Sequence, residues 1–463
     1  MLTPRRVLAF WYTNCWNTGY LPINSPGTFD NTGGRYHVRN ILNAAGELDL
    51  EKYQAYSQPW MTAGSITAYT FYFVMYSATV TYVILFHRHE VGRAFAGAWK
   101  ATKRSFKRSS DNEEDEDDVL GEDIHCRLMK QYKDVPEWVY FILLLVFAAI
   151  GMIGVGIYPT HTSPVVMVFG IIMCLITIIP VGLIQAVTGL PVPTNVIAEF
   201  IGGSFVQGNA NALMYFKTYG YIAAYQAVNF SNDLKLGHYA KIPPWHSFIG
   251  QVWATLIYCI VSSSIFNFAM DFKGICTADA TFNFTCPGQT QYFTAAVFWG
   301  TLSPKRLFGP GNRYNMMLLG FPAGVIIVLA YWAARKRWPR WSKLRQIHPV
   351  ILCQGPVYYL APYNISYMLP WLYITLFSFQ YIKPRYTQFW AKYNYVLAAA
   401  FPCGIAVCAI IIFFGLQVPH GGIEVDWWGN NVVNLGCEGD SCVRLDASTL
   451  PNGYFGPPNG QFT

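Results

Sequence analysis

Glu199 is a carboxylate inside an apolar run, Val196-Ile197-Ala198-Glu199-Phe200-Ile201. At membrane depth an ionisable group is costly unless it pairs, hydrates or takes up a proton. Protonation would make Glu199 a proton carrier. Pairing with Lys217, or capping a half-helix, would make it structural instead; the sequence leaves both readings open. Around it stand uncharged hydrogen-bonding side chains: Asn195, Gln207, Asn209, Asn211, Gln226 and Asn229. Gln185 precedes Gly189, and Gln354 lies in a Pro-broken stretch from His348 to Pro370. A single amide in such a segment usually bonds a neighbouring helix, but this group gathers around Gly202, Gly203 and Gly208, as a polar cavity would require.

The elements that position these residues are interrupted ones. Pro180, Gly189, Pro191 and Pro193 lead into the region, and Lys241-Ile242-Pro243-Pro244 closes it. Hydrocarbon offers no water to backbone groups, so broken helices persist at that depth only when buried in protein or lining a wet cavity. Such interruptions are the best sequence pointer to a transporter's substrate site. The composition agrees: 463 residues, 53% hydrophobic, 17% aromatic and 12% charged, leave too little polar surface for a soluble globule. The net charge of +7 sits at the ends of apolar runs, where it sets topology rather than binding nucleic acid.

The expected fold class is all-α, a polytopic transmembrane helical protein with broken or re-entrant helices. Spanning takes about 20 apolar residues, and 60–86, 139–158, 165–187, 246–270, 314–334 and 389–415 qualify. Regions 193–232, 291–311 and 347–382 are apolar but broken by Gly, Pro and amides. The chain divides into transmembrane segments over 1–86 with an outer loop at 17–59, a charged loop at 87–138, a transport core at 139–416 and a polar tail at 417–463. Basic residues between Arg88 and Arg108, and between Arg335 and Arg345, place those loops in the cytoplasm. The tail is then extracellular. That parity requires 193–232 and 347–382 to return to their starting side and 291–311 to re-enter without crossing.

Cys276 and Cys286 bracket a polar loop carrying the glycosylation acceptor Asn283, and Cys437 and Cys442 lie in the tail. Both pairs fit disulfides on an oxidising face, with unpaired thiols the alternative. Cys174, Cys259, Cys353, Cys403 and Cys408 read as small buried hydrophobes. The acidic run Asp111 to Asp118 cannot bury a core and reads as disordered. No Cys/His cluster has metal-ligand spacing, no cofactor is expected, and no nucleophile elbow or phosphate loop is present.

Trp16-Asn17-Thr18-Gly19-Tyr20-Leu21-Pro22, Gln185-Ala186-Val187-Thr188-Gly189, Gly208-Asn209-Ala210-Asn211, Lys217-Thr218-Tyr219-Gly220 and Trp427-Trp428-Gly429-Asn430 together resemble the proton-coupled oligopeptide transporter (OPT) family, its fungal branch above all. The resemblance covers nearly the whole chain. Family members run longer and carry an Asn-Pro-Gly motif on an earlier segment, so the chain reads as a C-terminal portion lacking the N-terminal segments. The family's Lys-Ile-Pro-Pro-Arg motif ends here in Trp245, which cannot supply the fixed donor fork of Arg.

The resemblance implies proton-coupled uptake of small peptides by alternating access, at the plasma membrane. A peptide zwitterion needs a cation for its carboxylate, an anion for its amine and amides for its peptide units. Lys217, Glu199 and the amides supply those types, with Glu199 as the proton-coupling group. Lys241, Ile242, Pro243 and Pro244 form either a hinge or gate, or simply a rigid start to the next helix. Glutathione or peptide-like metal chelates would suit the same cavity. The contrasting reading is a transport-incompetent fragment or membrane subunit.

Overall fold

The computed structural model describes residues 2–25, 27–44, 46–93, 96, 124–206, 208–272, 274–275, 292–359, 369–419, 427–428 and 443–461. Gln207, Asn283, the acidic run and all four cysteines of the two expected disulfides lie outside the described residues. The described part is helical, with β-pairing only as isolated bridges such as Phe29 with Trp60. Among the described residues, six helices are long and apolar enough to cross a membrane: Ala63–Phe86, Glu137–Ile157, Val165–Thr188, Pro244–Met270, Arg313–Arg337 and Thr387–Gln417. They coincide with the six expected spans.

The core is built on α3 (Ala63–Phe86), which follows two shorter helices, α1 (Leu2–Tyr12) and α2 (Leu50–Tyr56). Thr62 caps α3 by accepting from the Ser65 N–H. After α4 (Glu137–Ile157) and α5 (Val165–Thr188) the chain leaves helical geometry at Gly189, whose φ of +73° suits a residue without Cβ. An extended stretch at 190–194 then leads into α6 (Asn195–Phe205). At 11 residues, α6 is about 16 Å long, half the hydrocarbon thickness.

A turn at Gly208 (φ +85°) starts a continuous helical run. It comprises α7 (Ala210–Lys217), a π-helical turn at Thr218–Ile222 and α8 (Ala223–Ala240), of 8, 5 and 18 residues, about 46 Å in all. Gly170 faces Phe216 and Tyr219 while Gly182 faces Val228, so α5 and this run point the same way. The extended 190–194 stretch plus α6 therefore forms the return limb between them, part extended and part helical.

Two more helices complete the core. Next to α3, α10 (Gly320–Arg337) follows α9 (Pro244–Met270), and α11 (Pro349–Tyr359) packs on α3 beside it. Gly320 and Gly324 lie directly on the α3 backbone, where any side chain would collide, so the two helices approach more closely than Leu or Val would allow. Region 291–311 is a π-helical turn at Ala296–Thr301, a sharp reversal at Ser303 (φ +68°) and the short helix Pro304–Phe308. The remaining helices, α12 (Leu369–Leu376) and α13 (Thr387–Ile412), stand at the periphery with α4 and α9.

Above the core, residues 13–62 and 443–461 fold together into a cap. The Gly19 carbonyl accepts from the N–H groups of Arg444 and Leu445, and Asn31 from that of Phe455. The Phe455 ring stacks on Tyr20 and meets Trp60 edge-on, each at 4.9 Å between centroids. Burial pushes the hydroxyls of Tyr36 and Tyr53 well up from the usual phenol range. The cap rests on the core through Leu48 N–H to the Gly208 carbonyl (3.2 Å) and Met61 N–H to the Tyr314 hydroxyl (3.1 Å).

One expectation needs correction. Cys259, Cys403 and Cys408 are exposed rather than buried, because α9 and α13 pack little against the described core; Cys353 is buried and Cys174 half-buried.

Candidate functional site

The half-helix α6 and the start of α7 bring Glu199 and Lys217 together. Lys217 Nζ lies 2.5 Å from Glu199 Oε1, and the two residues are 1% and 7% exposed. A buried pair of this kind offsets its own desolvation only when the geometry is close and further partners are near. Lys217 has one such partner in the Tyr292 ring, 4.8 Å below its ammonium. The pair depends on two backbone breaks. The reversal at 205–210 folds α7 back on α6, and Gly202 lets Phe216 and Leu213 press against it.

A wall of tyrosines from α3 faces the pair. Tyr69, Tyr72 and Tyr76 lie at i, i+3 and i+7, one face of the helix, and Glu199 acts electrostatically on all three. The Tyr76 hydroxyl donates to the Pro193 carbonyl (2.8 Å) and accepts from the Ile197 N–H (3.3 Å). It thereby satisfies a carbonyl of the extended stretch and an orphan N–H of the first turn of α6. Gln354 of α11 does the same for the Pro191 carbonyl through Nε2. Tyr72 sits beside the Asn195 amide.

Among the described residues, three polar atoms in this neighbourhood are buried without a hydrogen-bond partner: Asn195 Oδ1, Gln354 Oε1 and Trp299 Nε1. Trp299 belongs to the π-helical turn Ala296–Thr301 and packs 5.5 Å from Tyr69 and 6.2 Å from Phe200, between ring centroids. An unmet donor or acceptor away from water costs about 1–3 kcal/mol, so each of these atoms is a place where a polar ligand or water gains a bond.

The remaining expected residues divide clearly. Asn209 is engaged locally: its Oδ1 accepts from Ala212 N–H as the cap of α7, and its Nδ2 donates to the His161 carbonyl. Asn211 and Gln226 are exposed, and Gln185 is half-buried on α5. At Lys241 the α8 helix ends in left-handed geometry (φ +60°), with Pro243 extended and Pro244 opening α9. Lys241 Nζ donates to the His238 carbonyl (3.0 Å) and lies 2.8 Å from His125 Nδ1, tying the end of the charged loop to this corner. Among the described residues no group of three or more His, Cys, Asp or Glu is placed to hold a metal.

Sequence reasoning missed Tyr69, Tyr72, Tyr76, Tyr292 and Trp299. The signal was present for the first three, since phenol hydroxyls repeated on one face of an otherwise apolar span demand partners. Nothing local marked Trp299 or Tyr292.

Fold and site together define a polytopic α-helical membrane protein with a buried ion pair held between broken helices. The chain belongs to the OPT oligopeptide transporter family, whose pattern matches residues 6–416. It is 34% identical over 97% of its length to sexual differentiation process protein isp4 of Schizosaccharomyces pombe, covering 56% of that protein. It is 32% identical over 98% of its length to oligopeptide transporter 2 of Saccharomyces cerevisiae, and 31% over 98% to glutathione transporter 1 of S. pombe, covering 52% and 51% of them. The chain spans about half the length of these curated relatives. No solved structure matches it.

Proposed function

We propose that the chain forms the part of a proton-coupled oligopeptide transporter in which one proton and the substrate carboxylate exchange at Lys217. The observation that carries this reading is the buried Glu199–Lys217 pair. In the paired state the ammonium is neutralised by Glu199. When Glu199 takes a proton, the ammonium loses its counter-ion in a low-dielectric site, and the terminal carboxylate of a peptide replaces it. Substrate and proton then enter together, because either alone leaves a buried charge unpaired. Asn195 Oδ1 would accept from a peptide N–H, and Trp299 Nε1 would donate to a peptide carbonyl.

Alternating access would move the discontinuous limb formed by 190–194 and α6, and the Lys241–Pro244 corner is the hinge at the far end of the same run. The cap faces the cell exterior and the basic corners the cytoplasm, in the plasma membrane. Glutathione is the second candidate substrate, favoured by the name of one relative and by its two carboxylates.

Uptake of a labelled tetrapeptide by cells expressing the chain, alone or joined to the matching N-terminal portion of a relative, tests this. Uptake should follow the inward proton gradient and collapse in Glu199→Gln. A Gln variant that accumulates peptide like the parent sinks the coupling role, and uptake only in the joined form identifies the chain as incompetent by itself.

A further inference from the structure

At the end of the span Arg313–Arg337 the chain turns a tight corner. Arg335, Trp338, Pro339, Trp341, Leu344 and Arg345 line a pocket there of about 60 Å³. The corner is held by its own bonds: Trp338 N–H to the Ala334 carbonyl (2.8 Å), Trp341 N–H to Trp338 (3.2 Å) and Arg345 Nη2 to the Pro339 carbonyl (2.7 Å). Arg335 lies over the Phe86 and Tyr331 rings at 5.6 and 6.0 Å, which fixes its guanidinium at the pocket wall.

Two cations thus meet in one concavity that contains no acidic side chain. Neither guanidinium meets a carboxylate among the described residues. Lys336, Arg337, Arg340 and Lys343 add charge of the same sign nearby, so the local field favours an anion. Trp338 and Trp341 pack edge-on at 6.4 Å and are each more than half exposed, as indoles are where a span emerges among lipid headgroups. Glutamate or aspartate would have neutralised such a site internally. Among the described residues none does so, and an anion of other origin fits the site.

We propose that this pocket binds the phosphate of an anionic phospholipid headgroup. Arg335 and Arg345 direct their donor forks at the phosphate oxygens, and the two indoles lie against the glycerol region of the same lipid. The shared chemistry is a phosphate. The membrane is its source, because the pocket sits at the end of a spanning helix with exposed indoles beside it. This site is separate from the ion pair and stands whether or not the transport reading holds.

The test is native mass spectrometry of the purified chain released from nanodiscs of phosphatidylcholine, whose choline neutralises its own phosphate, mixed with phosphatidylglycerol, whose phosphate has no such cation. The parent should retain phosphatidylglycerol in preference, and Arg335→Gln and Arg345→Gln should each lower that retention about fivefold, the effect of one basic residue at a membrane surface. Arg345→Lys keeps the charge without the fork and should fall between. Unchanged elution and melting of each variant confirm that it folds; Arg345→Lys gives the answer should Gln disturb the corner. Equal retention of both lipids overturns the proposal, as does a Lys336→Gln, Arg340→Gln double variant that loses as much as the pocket variants. In a further arm inorganic phosphate is added at millimolar concentration. It should leave the lipid in place, and displacement of the lipid would make this a site for soluble phosphate instead.

Discussion

The ion-pair core and the peripheral helices both contain spans apolar enough to cross a membrane, but they are opposite in packing. In the core, α3 packs on α10 and α6 on α7 through glycines, and Glu199, Lys217 and Gln354 are buried. At the periphery, the spanning stretches of α9 and α13 have none of their most apolar residues buried, and α4 almost none. Among hydrocarbon tails apolar side chains gain nothing by clustering, so burial there marks packing and hydrogen bonding rather than hydrophobic drive. Polar side chains are concentrated in the packed region, and substitutions should separate the two regions.

The largest contrast should come from removing one partner of the pair. Lys217→Met leaves a buried carboxylate without its counter-ion and should cost about 3–5 kcal/mol, read as a fall in melting temperature in detergent. The double variant Glu199→Gln, Lys217→Met should recover most of the loss, because no uncompensated charge remains. A double variant as unstable as the single one would show that packing, not charge, is at stake.

Glycines sharpen the comparison next. A Cβ at Gly203 would run into the Trp299 backbone, whereas at Gly404 on α13 it meets nothing within 4 Å. Gly203→Ala should destabilise by about 1–3 kcal/mol. Gly404→Ala should be neutral or slightly stabilising, since Ala is the better helix former by up to about 1 kcal/mol. Equal effects would erase the distinction between regions.

The smallest effect concerns a single hydroxyl. Tyr76→Phe strands the Pro193 carbonyl and the Ile197 N–H and should cost about 1–2 kcal/mol. Tyr258→Phe, on a side chain 70% exposed on α9, should be within about 0.5 kcal/mol of neutral.

These contrasts also show what could be read from the chain alone. The six spans were legible because apolar length is a local property, and their bounds differ from expectation by only a few residues. The site was legible in part. Glu199 and Lys217 are 18 residues apart, and their meeting follows from a half-helix reversing at Gly208, which the Gly and Asn content of that stretch signalled. The tyrosine wall was not read, although its spacing was visible, because its role depends on α3 packing across α6. Nor was the cap legible: Phe455 meets Asn31, Tyr20 and Trp60 across more than 390 positions of sequence, and neither partner segment carries a periodic pattern. Trp299 likewise meets Tyr69 and Phe200 only once distant turns are brought together.

The central claim is that peptide binding and protonation of Glu199 are one event. Its most direct measurement is proton uptake in weakly buffered detergent solution, followed with a pH-sensitive dye as tetrapeptide is added to the purified chain. The expected result is close to one proton taken up for each peptide bound, and none in Glu199→Gln even where that variant still binds peptide. Peptide binding by the parent with no accompanying proton, or the same uptake in the Gln variant, would contradict it.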